Sequence, residues 1–83
     1  SGKHFPDFVV LEKHRIVFIE SKDARELRDS NSEAYRIGQE AIEQCQLASQ
    51  ASKTRWEYWA IPHDQVERCA TFQDVAGQRF RFV

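Results

Sequence analysis

The run Ile16-Val17-Phe18-Ile19 constrains the fold most: four consecutive apolar residues that stop abruptly at the polar stretch Glu20-Ser21-Lys22-Asp23. A continuous apolar run of strand length, as opposed to an alternating one, fits a central strand covered on both faces. A similar run, Phe8-Val9-Val10-Leu11, lies just upstream, across the polar turn Glu12-Lys13-His14-Arg15. Two runs rich in β-branched and aromatic residues at that separation predict an antiparallel hairpin.

Asp23 to Ser30 is densely charged and reads as a loop or an irregular helical turn. Ser30-Asn31-Ser32-Glu33 then has the form of a capping box, a hydroxyl followed three residues later by a glutamate. Ala34, Ile37, Gly38, Ala41, Cys45 and Ala48 recur at helical spacing, with Ile42 beside them, so a helix is expected over about Asn31 to Ser49. Its stripe is made of small residues, which lets the helix lie close on a sheet. Gln39, Glu40, Glu43, Gln46 and Gln50 dominate the other face. Ala51 to Thr54 is a linker, and Arg55-Trp56-Glu57-Tyr58-Trp59-Ala60-Ile61 is a strand ended by Pro62. Strand, helix and strand in that order imply a right-handed crossover, which places 56–61 parallel to 16–19. Asp64-Gln65-Val66-Glu67 repeats the capping pattern and predicts a short helix from Gln65 to Thr71 or Phe72. Gly77 reads as a turn, and Arg79-Phe80-Arg81-Phe82-Val83 alternates as a final edge strand. The fold class is therefore α/β: hairpin, helix, parallel strand, short helix and edge strand in one mixed sheet.

At 83 residues the chain forms a single domain, 1–83, with 41% hydrophobic content and enough aromatic residues for one core. A chain of this size buries roughly 60–65% of its unfolded surface. No apolar run approaches the roughly 18 residues of a membrane span, and no signal-peptide pattern opens the sequence, so a cytoplasmic location and no membrane partner are expected. Ser1-Gly2 reads as a cloning remnant. A net charge of −1 gives no global basic signature, so any phosphate ligand has to be met by a few placed cations or a metal ion. Cys45 and Cys69 are far apart, without a C-x-x-C pattern or a histidine at ligand spacing, and read as free thiols.

The hairpin gives the charged residues a shared address. Asp7, after Pro6, opens the first run; Glu20 and Lys22 close the second. Antiparallel pairing brings all three to one end of the sheet. Two carboxylates that leave coordination positions open suit a divalent ion, and a nearby ammonium can orient water or stabilise developing negative charge. Lys22 falls on the same side as Glu20 because strand side chains repeat every two residues, and the Ser21 carbonyl can be a third ligand. The structural reading of the same residues is simpler: Asp7 as a turn residue, Glu20 and Lys22 as a solvated strand end.

Pro6-Asp7 with Glu20-Ser21-Lys22 resembles the signature of the PD-(D/E)XK nuclease superfamily. Asp7-Phe8-Val9-Val10 and Trp56-Glu57-Tyr58-Trp59-Ala60-Ile61-Pro62-His63-Asp64 resemble, more closely, the C-terminal nuclease domain of type III restriction-enzyme helicase subunits and related DEAD/DEAH-type helicases. The resemblance implies a restriction-endonuclease-like fold and a metal-dependent DNA endonuclease. In it Asp7, Glu20 and Lys22 are catalytic, and Asp7, Glu20 and the Ser21 backbone carbonyl hold Mg2+ or Mn2+. It also implies a fragment of a longer restriction or helicase–nuclease enzyme, with a helicase/ATPase domain in the same or a partner chain. The usual N-terminal helix and strand of the superfamily core have no counterpart before Pro6, so a neighbouring segment or a homodimer partner would complete the sheet. The alternative is a non-catalytic DNA-binding or assembly module on a degenerate nuclease fold.

Arg79, Arg81 and His4 are candidate contacts to nucleic acid, each with an ordinary surface reading beside it. His63, between Pro62 and a helix start, invites a general-base role; without an identifiable partner it reads as a turn histidine. His14 belongs to the hairpin turn. Gln39, Gln44 and Gln46 read as a solvated helix face, and Trp56, Tyr58 and Trp59 as core more readily than as a stacking platform for bases.

Overall fold

The computed structural model describes residues 6–82 and contains a three-stranded mixed sheet. Strands β1 (Phe8–Leu11) and β2 (Arg15–Lys22) form the hairpin, closed where the Glu12 N–H donates to the Arg15 carbonyl at 2.8 Å. Strand β3 (Arg55–Pro62) lies parallel to β2 on its other side, so β2 is central, as its unbroken apolar run requires. Helices α1 (Ala24–Arg28) and α2 (Glu33–Ala51) make the crossover between β2 and β3; α3 (His63–Val66) and α4 (Phe72–Gln78) follow β3.

The register assigns each face of the sheet. Val17, Ile19, Trp59 and Ile61 share one face with Val10 and are closed off by Phe72, Val75 and Ala76 of α4. Trp59 stacks on Phe72 at 5.2 Å between centroids. Phe18, Glu20, Trp56, Tyr58 and Ala60 alternate to the opposite face, where Phe18 stacks on Trp56 at 5.8 Å. Helix α2 is fastened to β3 on that side: the Trp56 N–H donates to Ser49 Oγ at 2.8 Å. Leu27 of α1 is fully buried, and Ala34 and Tyr35 of α2 are buried as well. No helix among the described residues is long and apolar enough to cross a membrane.

Several boundaries differ from the sequence expectation, each for a local reason. Ser32, not Ser30, caps α2, accepting from the Tyr35 N–H at 3.1 Å, and α2 runs two residues further at its C-terminus than expected. Of the two readings of the charged 23–30 stretch the helical one holds, because Asp23 caps α1 through the Arg25 and Glu26 N–H groups. The helix expected from Gln65 to Thr71 or Phe72 ends already at Val66, and a separate helix follows at Phe72–Gln78. The first starts at His63 with Pro62 as its cap and no side-chain cap bond, so Asp64 is not a cap. The second is set by a complete capping box, Thr71 with Asp74. That cap carries α4 through Gly77, which is helical and not a turn.

The final edge strand does not form among the described residues. Arg79 to Phe82 makes one backbone bond to the sheet, Phe80 N–H to the Ala60 carbonyl at 2.7 Å. Its rings are drawn to α2 instead: Phe80 and Phe82 pack edge-on to Tyr35 and to each other. The missing side chain of Gly38 makes the room, since a Cβ there would overlap the Phe82 ring. The small-residue stripe of α2 thus serves this aromatic cluster at Gly38. At the opposite edge of the sheet β1 leaves Phe8, Val9 and Leu11 exposed.

Candidate functional site

The hairpin register pairs Phe8 with Ile19, which sets Asp7 beside the end of β2. Asp7 is exposed, and its Oδ2 accepts the Ser21 N–H at 2.7 Å. Glu20 is only 3% exposed, and the Tyr58 hydroxyl, reaching across from β3, donates to its Oε2. The environment holds the Tyr58 phenol far above its usual range. Burial is the largest cause, followed by the hydrogen bond to Glu20 and the charges of Glu20, Asp7 and Cys45. Lys22 ends β2 opposite Pro62, alternates to the Glu20 side, and forms no ion pair among the described residues. The three residues singled out in the sequence thus meet at one end of the hairpin.

Ser21 faces the other way. Its Oγ is hydrogen-bonded to Nδ1 of His63, brought alongside because Ser21 pairs with Ile61 and Lys22 with Pro62. His63 therefore has the partner that could not be identified in the sequence, 42 positions away. The Asp23 carboxyl nearby lies below its ordinary range, first because the Glu26 and Arg25 N–H groups cap onto it, with the charges of Arg25 and His63 adding to the effect.

The remaining candidates divide. His4 lies outside the described residues. Arg79 is not a free surface cation: its guanidinium lies over the Trp59 ring at 5.2 Å and 3.5 Å from Glu57, and its Nε is buried without an acceptor among the described residues. Arg81 is exposed, as are His14, Gln39, Gln44 and Gln46. Cys45 and Cys69 are free thiols. Trp59 is buried, and Trp56 and Tyr58 are half-buried, so all three belong to the packing of the sheet.

Two further features were not found in the sequence. One is the Tyr58–Glu20 bond. Its only sequence signal is parity: in a parallel pair aligned with Phe18 opposite Tyr58, residues 58 and 20 share a face. The other is Glu57, approached by Arg15 at 3.4 Å, Arg79 at 3.5 Å and Arg55 at 3.6 Å, with the Trp59 indole N–H at 3.0 Å.

The donor set at the trio fits a hard divalent ion. Among the described residues no group of three or more His, Cys, Asp or Glu is placed to hold a metal. Any ion here would rest on two carboxylate oxygens, a backbone carbonyl and water, which is how Mg2+ is commonly held. Both acids are braced by other groups, Asp7 by an amide and Glu20 by a phenol. No protein-family model, curated protein or solved structure matches the chain.

Proposed function

We propose that this domain hydrolyses DNA phosphodiesters with Mg2+ or Mn2+, on a restriction-endonuclease-like fold of the PD-(D/E)XK type. We place it in the cytoplasm as part of a restriction or helicase–nuclease enzyme whose ATPase motor lies in the same or a partner chain. The observation that carries this reading is the bond from the Ser21 N–H to Asp7, which joins the two ends of the hairpin and sets the exposed acid beside Glu20 and Lys22.

In this reading Asp7, Glu20 and the Ser21 carbonyl are the ligands. When bound, the ion neutralises phosphate charge and makes water a better nucleophile at neutral pH. Lys22 orients that water and stabilises the negative charge that builds on the phosphoryl oxygens. Arg81, exposed on the C-terminal segment, is available to a phosphate of the DNA backbone. Asp7 Oδ2 is held by the amide, so the position of the carboxylate does not depend on the ion.

Cleavage of plasmid and oligonucleotide DNA by wild type, Asp7→Ala, Glu20→Ala and Lys22→Ala tests the proposal. All three substitutions should abolish metal-dependent cleavage while circular dichroism stays native. Equal cleavage by all four proteins refutes it.

A non-catalytic assembly module is the second reading. The observation favouring it is the exposed apolar edge of β1, with Phe8 64% and Leu11 74% accessible. A stable dimer by light scattering, with no chemical-shift response of Asp7 and Glu20 to Mg2+, would support that reading over hydrolysis.

A further inference from the structure

We infer that Tyr58 is a positioning residue for the metal-binding carboxylate: its hydroxyl fixes the Glu20 side chain in the orientation that receives the divalent ion. The inference rests on the hydrolytic reading above. Glu20 leaves the end of β2 already buried, and a buried carboxylate must be hydrogen-bonded or paired. Tyr58 supplies one such bond on Oε2. A carboxylate accepts at about four lone-pair positions, so the phenol bond constrains the group without by itself exhausting it.

The geometry favours bracing over a chance contact. Tyr58 projects from β3, which is locked in register to β2 from Arg15 opposite Arg55 to Lys22 opposite Pro62. The opposite partner of Glu20 itself is Ala60, whose small side chain lets the Tyr58 ring reach diagonally along the face. The phenol hydroxyl is the donor in this bond and the carboxylate oxygen the acceptor. Asp7 is braced independently by the Ser21 amide. Each acid thus has its own support, one from the backbone and one from a side chain.

Partners that orient a metal ligand from behind commonly contribute about 10- to 100-fold to metal affinity. If Tyr58 only satisfied a buried carboxylate, its loss would lower stability and leave metal affinity unchanged. Titration of Mg2+ into 15N-labelled wild type and Tyr58→Phe, read at the Glu20 and Ser21 amides, separates the two. The expected result is a midpoint raised by about 10-fold or more in Tyr58→Phe, with cleavage partly restored at high Mg2+. An unchanged midpoint with a lower melting temperature overturns the assignment and leaves the hydrolytic reading standing. A wild type whose Asp7 and Glu20 signals ignore Mg2+ overturns both. Should Tyr58→Phe not fold, the wild type still decides. A slowly exchanging Tyr58 hydroxyl proton that shifts on Mg2+ addition supports the assignment; its absence, or indifference to Mg2+, refutes it.

Discussion

Replacing Glu57 with Gln should destabilise the domain by an amount that salt can titrate. The carboxylate is 19% exposed and has three guanidiniums within 3.4–3.6 Å. At about 3.5 Å a unit charge pair is worth ~1.2 kcal/mol in a water-like dielectric and ~4.7 kcal/mol at an effective value of 20. Arg55 is 75% exposed and so contributes close to nothing, whereas Arg15 and Arg79 are each 31% exposed. Discounting those two for solvent leaves about 1–1.5 kcal/mol apiece, a loss of roughly 2–3 kcal/mol. Gln keeps an acceptor for the Trp59 indole N–H, so the change isolates the charge. For a domain of this size that loss lowers Tm by roughly 10–20 °C. The assay is a thermal melt at low salt and again near ~1 M NaCl, where the Debye length of ~3 Å approaches the pair separations. The difference between wild type and variant should shrink as salt rises. A Glu57→Gln protein melting within about 2 °C of wild type at low salt would sink the reasoning, as would a difference indifferent to salt.

Two further substitutions probe the C-terminal third. Thr71→Ala should cost about 1 kcal/mol and loosen the start of α4, read as faster amide exchange at Asp74 and Val75. The same cap makes α4 pH-sensitive. Asp74 lies below its ordinary range, first through the Ala70 N–H and then through that of Thr71, so its stabilisation is complete above the usual carboxylate pKa. It is lost as pH falls through the depressed value, so the protection factors of α4 amides, corrected for intrinsic exchange, should fall on acidification in wild type but not in Asp74→Ala. Gly38→Ala should displace the Phe82 ring, at about 1 kcal/mol because the ring tip can give way; loss of the nuclear Overhauser contacts between Tyr35 and Phe82 reports it.

The parts of the molecule that could be read from the sequence are those governed by short-range patterns. The hairpin, the central strand and the parallel β3 follow from apolar runs whose period depends on immediate neighbours. So does the meeting of Asp7, Glu20 and Lys22, since a hairpin leaves little choice of register. The alternation Arg79-Phe80-Arg81-Phe82 misled because alternation reports two-sidedness, not pairing. Here the second side is an aromatic cluster on α2, reached through Gly38. Gly77 misled for the converse reason: a capping box at the start of the segment outweighs one weak helix former near its end. Tyr58 and His63 could not be matched to Glu20 and Ser21 because their partners sit 38 and 42 positions away, beyond the reach of any local periodicity.

That separation also orders events in time. The Asp7–Ser21 bond closes a segment 14 positions long, whereas the Tyr58–Glu20 bond must wait for the chain to travel through α1 and α2 and return. Parallel pairing across a crossover carries the larger loop-closure cost, and contacts of that kind form late in folding. We expect the two acids to be aligned while Glu20 is still wet, with the phenol arriving as β3 docks. Pulsed hydrogen exchange should then protect the Ser21 amide before the amides of β3. A nascent chain would hold the outline of its charged centre before it had an interior to place it in.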